Sequence, residues 1–287
     1  LKYYHPAIYT AALINSQPMG FYSVSQLVQD ARQHGVTVNG VDVNYSQRDC
    51  QLELDQQGKP TVLRLGLRLI LSLPLVAQQS IMDARRDGPF SSQQDFQQRT
   101  GLSRSVIMRL AAADAFASFQ LDRRTALWES LGQPSNAQSL PLFDSLTPDP
   151  SPPACLPALE EIEQVSADYQ ATGLSLRAHP IYFCRPQLQQ LGIVPASQLA
   201  SLPDNQQVRV AGLVLLRQRP STARGITFVT LEDETGIINL VIRQRTWERF
   251  YQVARRATAW IVRGTLESRQ GVIHVVVDQL EPISCNL

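Results

Sequence analysis

Between residues 132 and 157 the chain collects Pro134, Pro141, Pro148, Pro150, Pro152, Pro153 and Pro157 among Ser, Asn and Asp. Each proline removes a backbone donor, and the stretch holds too little apolar surface to offset the entropy lost on ordering it. No single hydrophobic core can therefore run through all 287 residues. The expected division is a helical module at 1–60, a second helical region at 61–130, a linker at 131–158, a helical bridge at 159–205 and a last domain at 206–287.

Ahead of the linker the periodicity is mainly helical. Residues 5–16 (HPAIYTAALINS) and 23–34 (SVSQLVQDARQH) place apolar side chains three and four apart, with Ser23 set to cap the second helix and Gly35 to end it. Residues 41–46, 50–54 and 61–65 alternate instead. Gln57-Gly58-Lys59 marks a turn between the last two, so a small hairpin is expected there. From 67 to 119 the pattern gives short helices at 80–86, 91–99 and 103–119 separated by turns, the outline of paired helix-hairpin-helix units.

After the linker, helices over 159–172, closed by Gly173, and over 196–202 lead to alternating segments at 208–217, 226–232, 237–242, 258–267 and 272–280. A helical stretch at 246–257 falls between the third and fourth of these. Five strands with one helix in that position is the order of an OB-fold barrel. The expected fold class is multidomain α+β: a helical, helix-hairpin-helix region followed by a five-stranded OB-fold β-barrel.

The net charge of +1 conceals an asymmetry, because 11 arginines stand against 7 Asp and Glu after residue 205. A polyanion would meet the last domain most strongly. The most apolar segment, Val62 to Ala77, is interrupted by Arg64, Arg68 and Pro74 and falls short of the roughly 20 residues that cross a bilayer, so no membrane role is expected. Cys50, Cys155, Cys184 and Cys285 are too scattered for a zinc ribbon or a redox pair, which predicts a reducing cytoplasm and no structural metal. With Leu1 first and no targeting signal, the chain reads as a piece of something longer.

His5, His34, His179 and His274 are isolated, and no Ser or Cys sits in a nucleophile's setting, so no catalytic residue is expected. In the barrel, Arg209, Arg217, Arg219, Arg224, Arg243, Arg245 and Arg249 interleave with Phe228, Trp247, Phe250 and Tyr251, supplying forks for phosphates and flat faces for bases. Arg217, Arg219, Arg224 and Arg243 are the expected phosphate contacts and Phe228 the stacking platform, whereas Phe250, Tyr251 and Trp260 are expected to fill the interior. The acidic run Glu232-Asp233-Glu234 before Thr235-Gly236 reads as a hairpin turn, not a metal site. Thr100-Gly101-Leu102-Ser103, beside Arg99 and Arg104, is the better DNA-binding hairpin, since its glycine lets backbone N–H groups approach a phosphate. Leu71-Ser72-Leu73-Pro74 lacks the glycine and loses an N–H to proline.

The string LKYYHPAIYTAALINSQPMGFYSVSQLVQDARQHGVTVNGVDVNYS at 1–46 resembles the end of the fingers region of bacterial C-family DNA polymerases, related to the polymerase III α-subunit, and specifically their error-prone branch. LRLGLRLI, GPFSSQQDFQQRTGLSR, LAAADAF, TGLSLRAHP and AGLVLLRQRPSTARGITFVTLEDETGIINLVI extend the resemblance over nearly everything but the linker. It implies a C-terminal portion of a DNA-directed DNA polymerase, a nucleotidyltransferase acting in damage-induced mutagenesis and translesion synthesis. Its palm carboxylates, which hold Mg, would lie outside this stretch, which carries no cofactor of its own. The helix-hairpin-helix region would contact duplex primer-template DNA and the OB domain single-stranded template.

Members of that family carry a Lys-Gly pair where this chain has Leu71-Ser72, which weakens the case for duplex binding through the first hairpin. Leu140, Leu142 and Phe143 resemble the Gln-Leu-x-Leu-Phe peptide that docks on the sliding clamp, without its anchoring Gln. The clamp and a Y-family-like accessory protein of the mutasome are the protein partners this implies. The alternative is a non-catalytic OB and helix-hairpin-helix protein that binds DNA or docks repair partners.

Overall fold

Helix α1 (Pro6–Asn15) begins with a proline at a position where the missing N–H would have had no helical partner. Helix α2 (Val24–Gln33) is started by a reciprocal cap in which the Ser23 hydroxyl accepts the Gln26 N–H and the Gln26 side chain accepts the Ser23 N–H. Gly35, at φ +79°, ends it. The computed structural model describes residues 1–19, 22–132, 156–221, 225–269 and 271–283, which form two compact units, Leu1–Leu176 and Arg177–Leu287. Leu140, Leu142, Phe143 and Arg224 lie outside the described residues.

In the first unit, β1 (Thr37–Asn39) runs parallel to β3 (Pro60–Arg64), and β2 (Gln51–Leu54) pairs antiparallel on β3's other edge. The expected turn between β2 and β3 is present. Asp55 accepts the Gln57 and Lys59 N–H groups at 2.8 and 2.9 Å and the Thr61 hydroxyl at 2.7 Å, and these bonds hold its carboxyl below the usual range. The strand expected at 41–46 is a turn instead. There the Ser46 hydroxyl accepts the Asp42 N–H and donates to the Leu65 carbonyl, and Asp42 accepts the Asn44 N–H, so side chains take the place of a ladder. Gly66 crosses the chain at Arg48–Cys50 so closely that a Cβ would lie 2.5 Å from the Arg48 carbonyl oxygen.

Helices α3 (Leu75–Ala84), α4 (Gln93–Thr100), α5 (Arg104–Ala112) and α6 (Arg123–Gly132) follow. The helix expected over 103–119 stops at Ala112, because Asp114 adopts a left-handed backbone (φ +58°) and only a 3₁₀ turn at Ala117–Phe119 resumes. Phe90, Phe96, Phe116 and Phe119 form a chain of ring contacts with centroids 5.0–5.6 Å apart, and all but Phe119 are buried. Helix α7 (Glu161–Thr172) joins this unit through buried Arg123, which pairs with Asp168 and donates to the Gln164 carbonyl at 2.8 Å.

The second unit opens with α8 (Pro180–Gln190), a helix that the sequence pattern concealed because Pro186 lies inside it. The stretch read as one bridge is therefore shared: α7 belongs to the first unit and α8 to the second. Strands β4 (Gln207–Gln218), β5 (Thr227–Asp233), β6 (Gly236–Ile242), β7 (Ala259–Arg269) and β8 (Val272–Pro282) close into a barrel ordered β4-β5-β6-β8-β7, parallel only between β6 and β8. Val210, Val229, Leu231, Leu240, Trp260 and Val275 are among the residues filling it. The single helix expected before β7 is two, α9 (Gln244–Arg249) and α10 (Tyr251–Arg256), joined at Phe250. Helix α8 lays Ile181, Cys184 and Leu188 on Ala211, Leu213 and Ile261. A helix-hairpin-helix region followed by an OB barrel is thus the observed α+β arrangement. Among the described residues no helix is long and apolar enough to cross a membrane.

The acidic run is the tight turn between β5 and β6, with Asp233 opposite Gly236. Asp233 is fully buried. Its Oδ1 accepts the Thr235 and Gly236 N–H groups and the Thr235 hydroxyl, all within 2.9 Å, while Oδ2 accepts the Ala196 N–H at 2.8 Å and the Arg185 guanidinium at 3.0 Å. Arg185 also grips Glu234, so one carboxylate and one arginine fasten α8, the 3₁₀ helix Ala196–Ser201 and the turn. Replacing Asp233 by Ala leaves Arg185 with Glu234 alone and takes the acceptor from the Ala196, Thr235 and Gly236 N–H groups, and urea unfolding should show a loss of about 3 kcal/mol or more.

Candidate nucleic-acid interface

The outer surface of β5 and β6 is open to solvent. Side chains of alternate residues point outward there, placing Phe228 opposite Val241 and Thr230 opposite Asn239. Phe228 is 41% exposed although its strand neighbours Thr227 and Val229 are buried, so the barrel offers an aromatic face outward at a position where packing does not require one. Arg243, exposed at the N-cap of α9, is the diagonal neighbour of Phe228 on the same face, two residues beyond Val241. Arg219 is exposed just past the end of β4, and Arg245 stands exposed on α9.

Arg217, expected among the phosphate contacts, is engaged within the fold. Its Nε donates to the Ala254 carbonyl at 2.9 Å and its Nη2 to the Ala257 carbonyl at 2.6 Å, while its guanidinium carbon lies 5.2 Å from the centre of the Trp260 ring. These bonds satisfy carbonyls that the end of α10 leaves unpaired. Trp260 is fully buried and Phe250 partly so, whereas Tyr251 is 42% exposed and accepts from Arg255, so it does not fill the interior as expected.

The outward row of β5 ends at Glu232, which is only 2% exposed and faces His179 at the start of α8. His179 Nδ1 accepts the Ile181 N–H at 3.2 Å, which puts the proton of the neutral ring on Nε2, 3.9 Å from a Glu232 oxygen. Neither His179 Nε2 nor Glu232 Oε1 has a hydrogen-bond partner among the described residues. Burial, reinforced by neighbouring Asp233, pushes Glu232 up to about 7, and burial brings His179 down to about 4. At neutral pH the imidazole is uncharged, so this approach is not an ion pair.

In the first unit, α4, Gly101-Leu102-Ser103 and α5 form the better hairpin. Gly101 adopts φ +62° and closes α4 through its N–H to Gln97 O. Ser103 provides no side-chain cap, leaving the Arg104 and Ser105 N–H groups at the start of α5 without helical partners, with Gly101, Ser103 and Ser105 exposed. Arg104, half-buried, makes no side-chain hydrogen bond or ion pair among the described residues. Arg99 lies inside the fold: it donates to the carbonyls of Ala84, Gly88 and Pro89, pairs with Asp95 and stacks 4.5 Å from the Phe90 ring centre.

The other hairpin keeps its shape without glycine, because Ser72 takes the left-handed backbone itself at φ +59°. Its polar groups are occupied internally, Leu71 N–H by the Ala171 carbonyl at 2.8 Å and Ser72 O by Arg109, while Leu71, Leu75 and Val76 are exposed.

Comparison with known proteins agrees with this geometry. A helix-hairpin-helix motif model matches residues 35–126 and an OB-fold nucleic acid binding domain model residues 208–283. Over 99% of its length the chain is 50% identical to an error-prone DNA polymerase of Rhodopirellula baltica, covering 25% of that protein. It is 46% identical to one of Anaeromyxobacter sp., again covering 25%, and 42% identical to one of Sinorhizobium medicae, covering 27%. Over nearly its whole length the chain is similar to the C-terminal part of error-prone DNA polymerases. It spans about a quarter of the length of the curated relatives it matches.

The reading of the sequence picked out Phe228, Arg219 and Arg243, all of which are exposed. It did not find Asn239 or the Asp233–Arg185 pair. The only signal for the latter was an Asp two residues ahead of Thr235, the spacing of a side-chain-closed turn.

Two predictions follow from these groups. Between pH 4.5 and 6.5 the raised Glu232 loses stability as pH rises and the depressed His179 loses it as pH falls, so the two slopes oppose each other. Glu232→Gln should therefore expose the histidine's slope, with stability relative to the parent chain falling by about 1 kcal/mol per unit as pH drops through that window. His179→Asn, which keeps a capping acceptor, should show the opposite slope. At the first hairpin, Ser72→Gly relieves the left-handed backbone and should raise the urea midpoint by the equivalent of about 1 kcal/mol with an unchanged m-value.

Proposed function

We propose that this chain is the DNA-holding portion of an error-prone DNA polymerase, the OB domain taking single-stranded template and the helix-hairpin-helix region taking duplex. The observation that carries the reading is the exposed Phe228 on an otherwise well-buried strand, with Arg243 diagonal to it on the open face. An aromatic ring and a neighbouring guanidinium match the alternation of base and phosphate along a single strand. Arg219, Arg224 and Arg243 neutralise phosphates, and Phe228 stacks a base. At the second hairpin the open N–H groups of α5, with Arg104, hold a duplex phosphate. Arg217 and Arg99 act as internal braces.

In this reading the complete enzyme performs templated nucleotidyl transfer in the cytoplasm during damage-induced mutagenesis and translesion synthesis. Its Mg and carboxylates belong to the remainder of the polymerase. Leu140, Leu142 and Phe143 dock the sliding clamp, and a Y-family-like accessory protein completes the assembly. A second reading, docking of a repair partner, is favoured at the first hairpin, where Leu71, Leu75 and Val76 expose 54%, 61% and 77% of their surface.

Fluorescence anisotropy of the 287-residue chain with labelled single strands across a salt series tests the main reading. Arg219→Ala and Arg243→Ala should each weaken binding and lower the logarithmic salt slope by about 0.7, with no change in urea midpoint. Phe228→Ala should weaken binding without altering the slope. Binding indifferent to salt and to all three residues would shift the assignment to partner docking.

A further inference from the structure

Strands β6 and β8 are paired by only two residue pairs, Leu240 with Val275 and Val241 with Val276. One step toward their starts they part, and Asn239 and His274 stand on either side of the gap. Between them opens a cleft of about 80 Å³, lined by Ala196, Leu199, Ala200, Ile237, Asn239 and His274 among others. The 3₁₀ helix Ala196–Ser201 thus supplies an apolar wall, while the strands supply the polar groups.

The two polar groups are placed differently. Asn239 is exposed, and its side-chain amide makes no hydrogen bond among the described residues, leaving one acceptor and two donors unused. The His274 ring is held from behind by Glu267, its cross-strand partner on β7, with Nε2 3.4 Å from the carboxylate. Among the described residues no Lys or Arg lines the cleft, and Glu267 adds negative charge beside it, so a phosphate is disfavoured. An apolar wall with a free amide and an oriented ring suits a flat, neutral, hydrogen-bonding group.

Register connects this cleft to the platform already described. Phe228 lies opposite Val241, so on the outward face of β6 its two diagonal neighbours are Arg243 on one side and Asn239 on the other. A strand whose base stacks on Phe228 and whose phosphate meets Arg243 carries its next base toward Asn239. The geometry points to a base-reading subsite: the β6–β8 cleft accepts the edge of one unstacked nucleobase next to the one on Phe228, with Asn239 as the specificity-determining contact and His274 as a flanking ring. An amide can pair with the donor–acceptor edge of an unpaired base, which is how single strands are read. This inference rests on the single-strand reading of the OB domain, and it adds sequence or base dependence to a surface otherwise indifferent to it.

The test uses the 287-residue chain and a labelled oligonucleotide in which one abasic site is moved along an otherwise uniform strand. Affinity should fall about five- to tenfold at two adjacent positions, one for each base held. Asn239→Ala should weaken the intact strand by a similar factor, abolish the penalty at one of those positions and leave the salt slope and urea midpoint unchanged. Phe228→Ala should abolish the penalty at the other. If Phe228→Ala weakens binding but Asn239→Ala leaves both the affinity and the abasic pattern unaltered, the subsite is refuted and the template reading stands. If the chain binds no single strand, both fall together.

Discussion

One buried ion pair, that of Asp233 with Arg185, ties α8 and the 3₁₀ helix Ala196–Ser201 to the barrel's β5–β6 turn. A carboxylate at the closed end of a hairpin, fully removed from solvent, would ordinarily be a liability. Here each oxygen is fully coordinated, three donors at one and two at the other. The result is that the β5–β6 turn cannot move independently of α8 or of the 3₁₀ helix Ala196–Ser201. Because β5 and β6 are also the strands whose outward residues carry Phe228, Asn239 and Arg243, the same constraint that fastens the covering helix sets the position of the open face.

Burial divides that outward row of β5 into two regimes. At Phe228 the surface is open, and at Glu232, four residues along, α8 has sealed it. Covering the row brings a carboxyl and an imidazole together with water excluded, and the fold accommodates them by shifting both toward their uncharged forms, the carboxyl upward and the imidazole downward. The opposite protonation preferences of the two groups leave little net dependence on pH across the weakly acidic range.

Much of this was legible in the residues. The barrel strands, the Gln57-Gly58-Lys59 turn, the Ser23 cap and the acidic hairpin turn follow from alternation and from side chains whose hydrogen-bonding habits are local. What was hidden depends on tertiary partners. Residues 41–46 alternate like a strand, yet Asp42, Asn44 and Ser46 satisfy the backbone sideways. Helix α8 contains a proline that local reasoning treats as a stop. Arg217 and Arg99 were conspicuous as cations, but a sequence cannot show that the carbonyls of Ala254, Ala257, Ala84 and Gly88 lie within reach of their forks. Asn239 had no distinguishing feature until the register placed it beside Phe228 and opposite a gap between strands.

The first hairpin carries a different lesson. Its backbone traces the path of a phosphate-gripping loop, with a serine in the left-handed position, yet Arg109 holds its carbonyl from one side and the end of α7 holds its amide from the other. A loop whose exposed polar groups would serve a ligand has become a joint between helices of the same chain. Its geometry is maintained by what it fastens, which leaves the residues at its tip, Leu71, Leu75 and Val76, free to vary in chemistry without loosening the helices behind them.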